Sequence, residues 1–126
     1  MYEIPTAIVV DDNKLTVQVL CDFLESINVR ILGRGHSGKD AVELYKKHKP
    51  DILFLDLMMS EYDGFFALGE IRRQYPGATI VVVTSDLRKE TEEMLDKLKP
   101  TQIIYKPFAV GAIADIVEKT RKAKRQ

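Results

Sequence analysis

Five short apolar runs, four of them nearly continuous, alternate along the chain with longer segments in which apolar residues return every three or four positions. The short runs are 6–10, 29–34, 51–55, 79–83 and 102–105, and the longer segments are roughly 14–26, 38–48, 64–74, 87–98 and 109–122. Runs such as Ala7-Ile8-Val9-Val10 and Ile80-Val81-Val82-Val83 lack the alternation of a half-exposed strand and read as strands buried on both faces. The run at 29–34 carries Arg30 and Arg34 and suits an edge strand. Capping residues open the helical segments: Ser37 with Asp40 three positions on, and Ser85-Asp86 before Leu87. In 87–98 the residues Leu87, Thr91, Met94, Leu95 and Leu98 form one stripe, with Lys89, Glu90, Glu93 and Lys97 largely outside it. Pro50, Pro76 and Pro100 each fall just past a helix, where they stop it from continuing. Strict strand–helix alternation predicts an α/β fold, a parallel sheet with helices on both faces.

With 126 residues the chain is expected to form a single domain, 1–126, with no linker and no output domain after the fifth helix. Lys plus Arg and Asp plus Glu both number 19, so the balanced charge argues against direct nucleic-acid binding. The basic stretch Lys119–Arg125 reads as a solvated, frayed helix end, since cations suit a helix C-terminus. A lone Cys21, beside Leu20 and Leu24 in a helical pattern, reads as a small core residue and fits a reducing compartment. His36 and His48 are isolated and lack metal-ligand spacing. No apolar run approaches the ~18 residues of a membrane span, and Met1–Ile4 leads straight into the first strand without room for a signal peptide. A soluble, cytoplasmic protein is expected.

The chemistry sits at the ends of the strands. Asp11-Asp12 follow the first apolar run, Asp56 ends the third, Thr84 the fourth, and Lys106 the fifth. Ligands of an open parallel sheet bind at the carboxyl ends of its strands, so three carboxylates, an ammonium and a hydroxyl should meet in one crevice. Crowded carboxylates repel one another and raise each other's pKa unless a cation neutralises them. Hard oxygen ligands point to Mg²⁺. Taken alone, Asp11-Asp12 is a helix cap before Lys14, and Lys106-Pro107 a surface lysine before a turn. Taken with Asp56, they favour a site for a divalent cation and a phosphoryl group. Asp56 is the candidate nucleophile, since a carboxylate can form an aspartyl-phosphate. The transfer needs mainly positioning and charge neutralisation, from Mg²⁺ on one side and Lys106 on the other, with Thr84 donating to one oxygen.

In this order and at these intervals the residues resemble the receiver (phosphoacceptor) domain of two-component response regulators, over nearly the whole chain and in a stand-alone, chemotaxis-regulator-like layout. The segment Asp56-Leu57-Met58-Met59-Ser60-Glu61-Tyr62-Asp63-Gly64 is similar to that family's loop around its phosphorylated aspartate. The resemblance implies a flavodoxin-like fold of strand order 2-1-3-4-5. It implies that Asp12, Asp56 and the backbone carbonyl of Met58 hold Mg²⁺, with Asp11 acting through water. Asp56 would take its phosphoryl group from a sensor histidine kinase or a histidine phosphotransfer protein. Helix 87–98, strand 102–105 and helix 109–122 would then engage a protein target, or a second copy in a phosphorylation-dependent homodimer. No enzymatic turnover is expected beyond self-phosphorylation from small donors and slow hydrolysis at Asp56. Three positions depart from the pattern: Ser60 where proline is common, Ser85 where a small alanine is usual, and Ile103 where the family carries an aromatic switch residue. Tyr105 shares the strand parity of Ile103, about 7 Å further along, and is a candidate to take over part of that switch.

Other readings account for fewer residues. Gly33-Arg34-Gly35-His36-Ser37-Gly38 matches a dinucleotide fingerprint and, with Lys39, nearly a P-loop. Asp40 stands where the P-loop needs a hydroxyl, and either motif leaves Asp11, Asp12, Thr84 and Lys106 unused, so the glycines are expected to serve a loop turn. A small aspartyl-phosphate phosphatase of the haloacid dehalogenase type would place its nucleophile first in a DxD, whereas this chain reads Asp11-Asp12-Asn13. A phosphate-independent binding module of the same fold is the remaining alternative.

Overall fold

The computed structural model describes residues 4–59 and 63–124. Its elements are β1 (Thr6–Val10), α1 (Lys14–Ser26), β2 (Arg30–Gly35), α2 (Gly38–His48), β3 (Ile52–Leu55), α3 (Gly64–Gln74), β4 (Ile80–Thr84), α4 (Lys89–Leu98), β5 (Gln102–Tyr105) and α5 (Val110–Lys124). The strands pair in parallel in the order β2-β1-β3-β4-β5. Every residue of β3 and β4 is buried, as their unbroken apolar sequences require. The arginines belong to β2, a partly exposed edge strand.

Strand parity divides the interior into two cores. Ala7, Val9, Ile52, Phe54, Val81, Val83 and Ile104 face α1 and α5 and pack with Val17, Leu20, Cys21, Leu24, Ile113 and Val117. Ile8, Val10, Leu53, Leu55, Ile80 and Val82 face α2, α3 and α4 and pack with Ala41, Tyr45, Leu68, Ile71 and Leu95. Cys21 is a fully buried core residue, as its helical neighbours suggested. Among the described residues no helix is long and apolar enough to cross a membrane.

Four local expectations change. α1 is capped by Asn13, whose side chain accepts from the amide of Thr16, so neither aspartate before it spends its carboxylate on that cap. α4 starts at Lys89 instead of 87 and has no side-chain cap, because the Asp86 carboxylate binds the amide of Arg88 within the preceding loop. The stripe is thus only partly used: Thr91 and Leu95 are buried and Leu98 packs against the core, but Leu87 is 77% exposed and Met94 45% exposed. Gly33 and Gly35 make no turn. They lie in β2, where a Cβ on Gly35 would stand 2.8 Å from the Cβ of Asp40 and 3.2 Å from Leu44, so they let α2 pack tightly on the sheet. The basic end of α5 is anchored, not frayed: Lys124 Nζ donates to Asp51 Oδ2 at 2.8 Å and Arg121 Nη2 to the carbonyl of Ile27 at 3.0 Å. Ser60, Glu61, Tyr62 and Arg125 lie outside the described residues.

Arg72 joins three segments at the opposite end of the sheet from the strand-end acids. Its guanidinium donates to the carbonyls of Lys99 (3.1 Å), Pro76 (2.9 Å) and Ala78 (2.6 Å), linking α3 to the approaches of β4 and β5. A lysine has the charge but not the fork. Arg72→Lys is expected to lower unfolding free energy by about 2 kcal/mol, on the scale of two or so net hydrogen bonds, as read from urea denaturation.

Candidate functional site

Ladder hydrogen bonds continue one residue beyond the strands and set the acids side by side. The amide of Asp56 donates to the carbonyl of Val10 (2.9 Å), that of Asp11 to Gly35 (3.1 Å), and that of Lys106 to Thr84 (2.8 Å). Since β1 and β3 are neighbours with Val10 opposite Leu55, Asp11 and Asp56 emerge adjacent from the middle of the sheet. Ligand oxygens of Asp11, Asp12 and Asp56 all lie within 4.8 Å of one another. Asp11 and Asp56 are buried and Asp12 is exposed, so the cluster opens to solvent on one side.

One cation faces the cluster. Lys106 Nζ lies 2.7 Å from Asp11 Oδ2 and 3.6 Å from Asp56 Oδ1. The closer contact goes to Asp11, which leaves Asp56 the less neutralised of the two. Burial, and next the charge of Asp11, push the Asp56 carboxyl up to about 6, against the opposing pull of Lys106 and a hydrogen bond from the amide of Met58. Burial alone would lower the Lys106 pKa, but the Asp11 hydrogen bond and the charges of Asp56 and Asp11 outweigh it and raise the value, so the ammonium stays charged.

The remaining residues named from the sequence fall around this core. Thr84 is fully buried at the end of β4, and its hydroxyl oxygen accepts from the amide of Asp86 at 3.1 Å. Met58 is exposed just after Asp56. Ile103 packs against the core under α2, α3 and α4, whereas Tyr105 is 45% exposed.

Residues with no part in the strand-end chemistry as read from the sequence support the site. His36 Nδ1 lies 3.0 Å from the carbonyl of Asp11, and because a carbonyl only accepts, this nitrogen carries the proton. Gly64 has no room for a side chain: a Cβ there would stand 2.1 Å from the carbonyl oxygen of Asp56 and 2.5 Å from the Cα of Leu57. The Asp56 loop thus packs its backbone directly onto the start of α3, where Asp63 caps the helix and the Gly64 amide donates to Leu57 (2.7 Å). Asp86, half-buried, binds Arg88 and Thr91, whose bonds hold its carboxyl well below the usual range. The contact of His36 with Asp11 joins residues far apart in the chain and carries no local signal, whereas the Asp86–Thr91 bond lies within one stretch of sequence.

The model of the response regulator receiver domain matches residues 7–118. The chain belongs to that family. It is 34% identical over 113 residues to the response regulator protein VraR of Staphylococcus epidermidis, an alignment covering 88% of this chain and 54% of that protein. The chain thus spans about half the length of that relative. It is 30% identical over 115 residues to the chemotaxis protein CheY of Thermotoga maritima, covering 91% of this chain and 96% of CheY. The receiver domain of a modulated diguanylate cyclase from Desulfovibrio desulfuricans superposes with a TM-score of 0.86 at 25% identity, covering 98% of each chain. This is a receiver domain of two-component signalling, with the flavodoxin-like fold and strand order expected for one.

The raised pKa of Asp56 has a thermodynamic consequence in this receiver domain. Between the ordinary carboxyl value of 3.8 and about 6 the folded protein holds more protons than the unfolded chain, so its stability falls as pH rises through that window. Without Mg²⁺, Asp56→Asn is expected to exceed wild type in stability at about pH 8 by up to about 3 kcal/mol, and to match it near pH 3.5. Urea titrations of both proteins at the two pH values check this.

Proposed function

We propose that Asp56 is the phosphoacceptor of this receiver and that the acid cluster takes Mg²⁺. Support comes above all from one observation: the carboxylates of Asp11 and Asp12 converge on that of Asp56, with Lys106 beside them. The donor set fits the ion, being all hard oxygen, and the charge it would offset is the one burial and Asp11 destabilise on Asp56. Asp12, Asp56 and the carbonyl of Met58 would hold Mg²⁺, with Asp11 acting through water. When bound, the ion neutralises charge on the oxygens of the phosphoryl group.

The protein's own part follows from its side chains. A carboxylate oxygen of Asp56 forms the new bond to phosphorus while the bond to the donor atom breaks, and that atom leaves with the electron pair. With a phosphohistidine of a sensor kinase or phosphotransfer protein as donor, protonated on its other ring nitrogen, the leaving group is neutral imidazole. Lys106, free to exchange Asp11 for a phosphoryl oxygen, offsets charge from the β5 side, and the Thr84 hydroxyl donates to another oxygen. Phosphorylation replaces the single charge of the Asp56 carboxylate with a phosphoryl group carrying nearly two and favours a state in which these residues and the loops beyond them have moved. The output surface is α4, β5 and α5, where Leu87, Met94, Tyr105 and Val110 are exposed, and it engages a protein target or a second copy of the chain.

Intact mass after incubation with acetyl phosphate tests the acceptor. A gain of one phosphoryl group that needs Mg²⁺ and is absent in Asp56→Asn is the expected result; no gain under any condition favours a phosphate-independent binding module. Because Ile103 is packed in the core, Tyr105 is the aromatic available to report the switch. Tyr105→Ala is expected to phosphorylate normally and to lose at least severalfold in phosphorylation-dependent affinity or dimerisation, measured by calorimetry or ultracentrifugation; undiminished affinity refutes the role.

A further inference from the structure

The β4–α4 loop is tied together by one side chain. The amide of Asp86 donates to the hydroxyl oxygen of Thr84 at 3.1 Å. The carboxylate of the same residue accepts from the amide of Arg88 at 3.0 Å, from its guanidinium at 2.7 Å, and from the hydroxyl of Thr91 at 2.6 Å. Thr84 is fully buried and Thr91 is 2% exposed, so both ends of this chain of bonds are shielded from water. The Arg88 guanidinium is largely in solvent and contributes little. The Thr91 bond is the anchor, because it is charge-assisted and comes from the helix face that packs on the core.

The Thr84 hydroxyl oxygen thus connects, through Asp86 alone, to the first turn of α4. Movement of that oxygen toward a phosphoryl group on Asp56 would break the bond to the Asp86 amide. We propose that Asp86 is a positioning residue that latches Thr84 to the start of α4 in the unphosphorylated protein, so that phosphoryl uptake at Asp56 releases the helix. This inference rests on the reading of Asp56 as the phosphoacceptor. Coupling of this kind is reciprocal. Loosening the latch from the α4 side frees Thr84 and speeds phosphorylation, and a partner that prefers the released helix does the same.

The test compares wild type, Asp86→Ala, Asp86→Asn and Thr91→Val in two measurements. One is the initial rate of phosphorylation by acetyl phosphate at saturating Mg²⁺, read by intact mass. The other is amide hydrogen exchange over 85–92 before and after phosphorylation. Asp86→Ala and Thr91→Val are expected to raise the rate about fivefold, the worth of one net hydrogen bond, and to raise exchange in the free protein toward that of phosphorylated wild type. Asp86→Asn, which keeps an acceptor for the Arg88 amide, is expected to fall between. Thr91→Val keeps the side-chain shape and carries the test should Asp86→Ala fold poorly. Wild-type rates in folded variants, or exchange over 85–92 that phosphorylation leaves unchanged, overturn the latch alone. Wild type that takes no phosphoryl group overturns the reading of Asp56, and the latch's switching role with it.

Discussion

The repulsion among Asp11, Asp12 and Asp56 is the constraint on which the rest of the site depends. Two of these acids, Asp11 and Asp56, are buried, and Lys106 pairs with both. The sheet enforces the arrangement, because the amide of Asp56 completes the ladder from Val10 and cannot retreat without breaking it. Buried strands on either side supply the stability that tolerates the crowding. The same crowding makes a cation welcome and leaves Asp56, poorly neutralised by Lys106, the carboxylate with most to gain from a new partner.

The two sides of the sheet are built for different tasks. α5 is fastened at its far end, through Lys124 to Asp51 and Arg121 to Ile27, and buries Ile113, Ile116 and Val117. α4 buries only Thr91 and Leu95, has no side-chain cap, and leaves Met94, like Leu87 in the loop before it, in solvent. A helix with few buried contacts is the one that moves at small energetic cost. Its main tie to the site runs through Asp86, whose carboxylate is spent on the loop and Thr91 instead of on capping the helix. The missing cap and the latch are thus one feature.

Periodicity and composition made the architecture legible. Central strands buried on both faces must be apolar throughout, so β3 and β4 announce themselves, and Pro50, Pro76 and Pro100 mark helix ends because proline cannot continue a helix. The ends of α1, α2 and α3 fall where those local rules place them. The convergence of Asp11, Asp56, Thr84 and Lys106 on the carboxyl ends of the strands was also readable, because parallel topology brings all strand ends to one edge. The start of α4, the purpose of Gly33 and Gly35 and the fate of the basic C-terminal segment were misjudged, each being settled by side-chain contacts that packing decides: Asp86 with Thr91, Gly35 with Leu44, and Lys124 with Asp51.

The sequence by itself therefore determined the element order, the two-faced parallel sheet and the set of residues at the carboxyl ends of its strands, since these follow from local periodicity and strand direction. Only the tertiary structure decided how the charges are shared: that Lys106 sits closer to Asp11 than to Asp56, that Asn13 relieves the aspartates of capping, and that Asp86 joins Thr84 to Thr91. Hydrogen bonds and ion pairs depend on distances of a few tenths of an ångström between side chains brought together by packing, and no pattern along the chain encodes those distances.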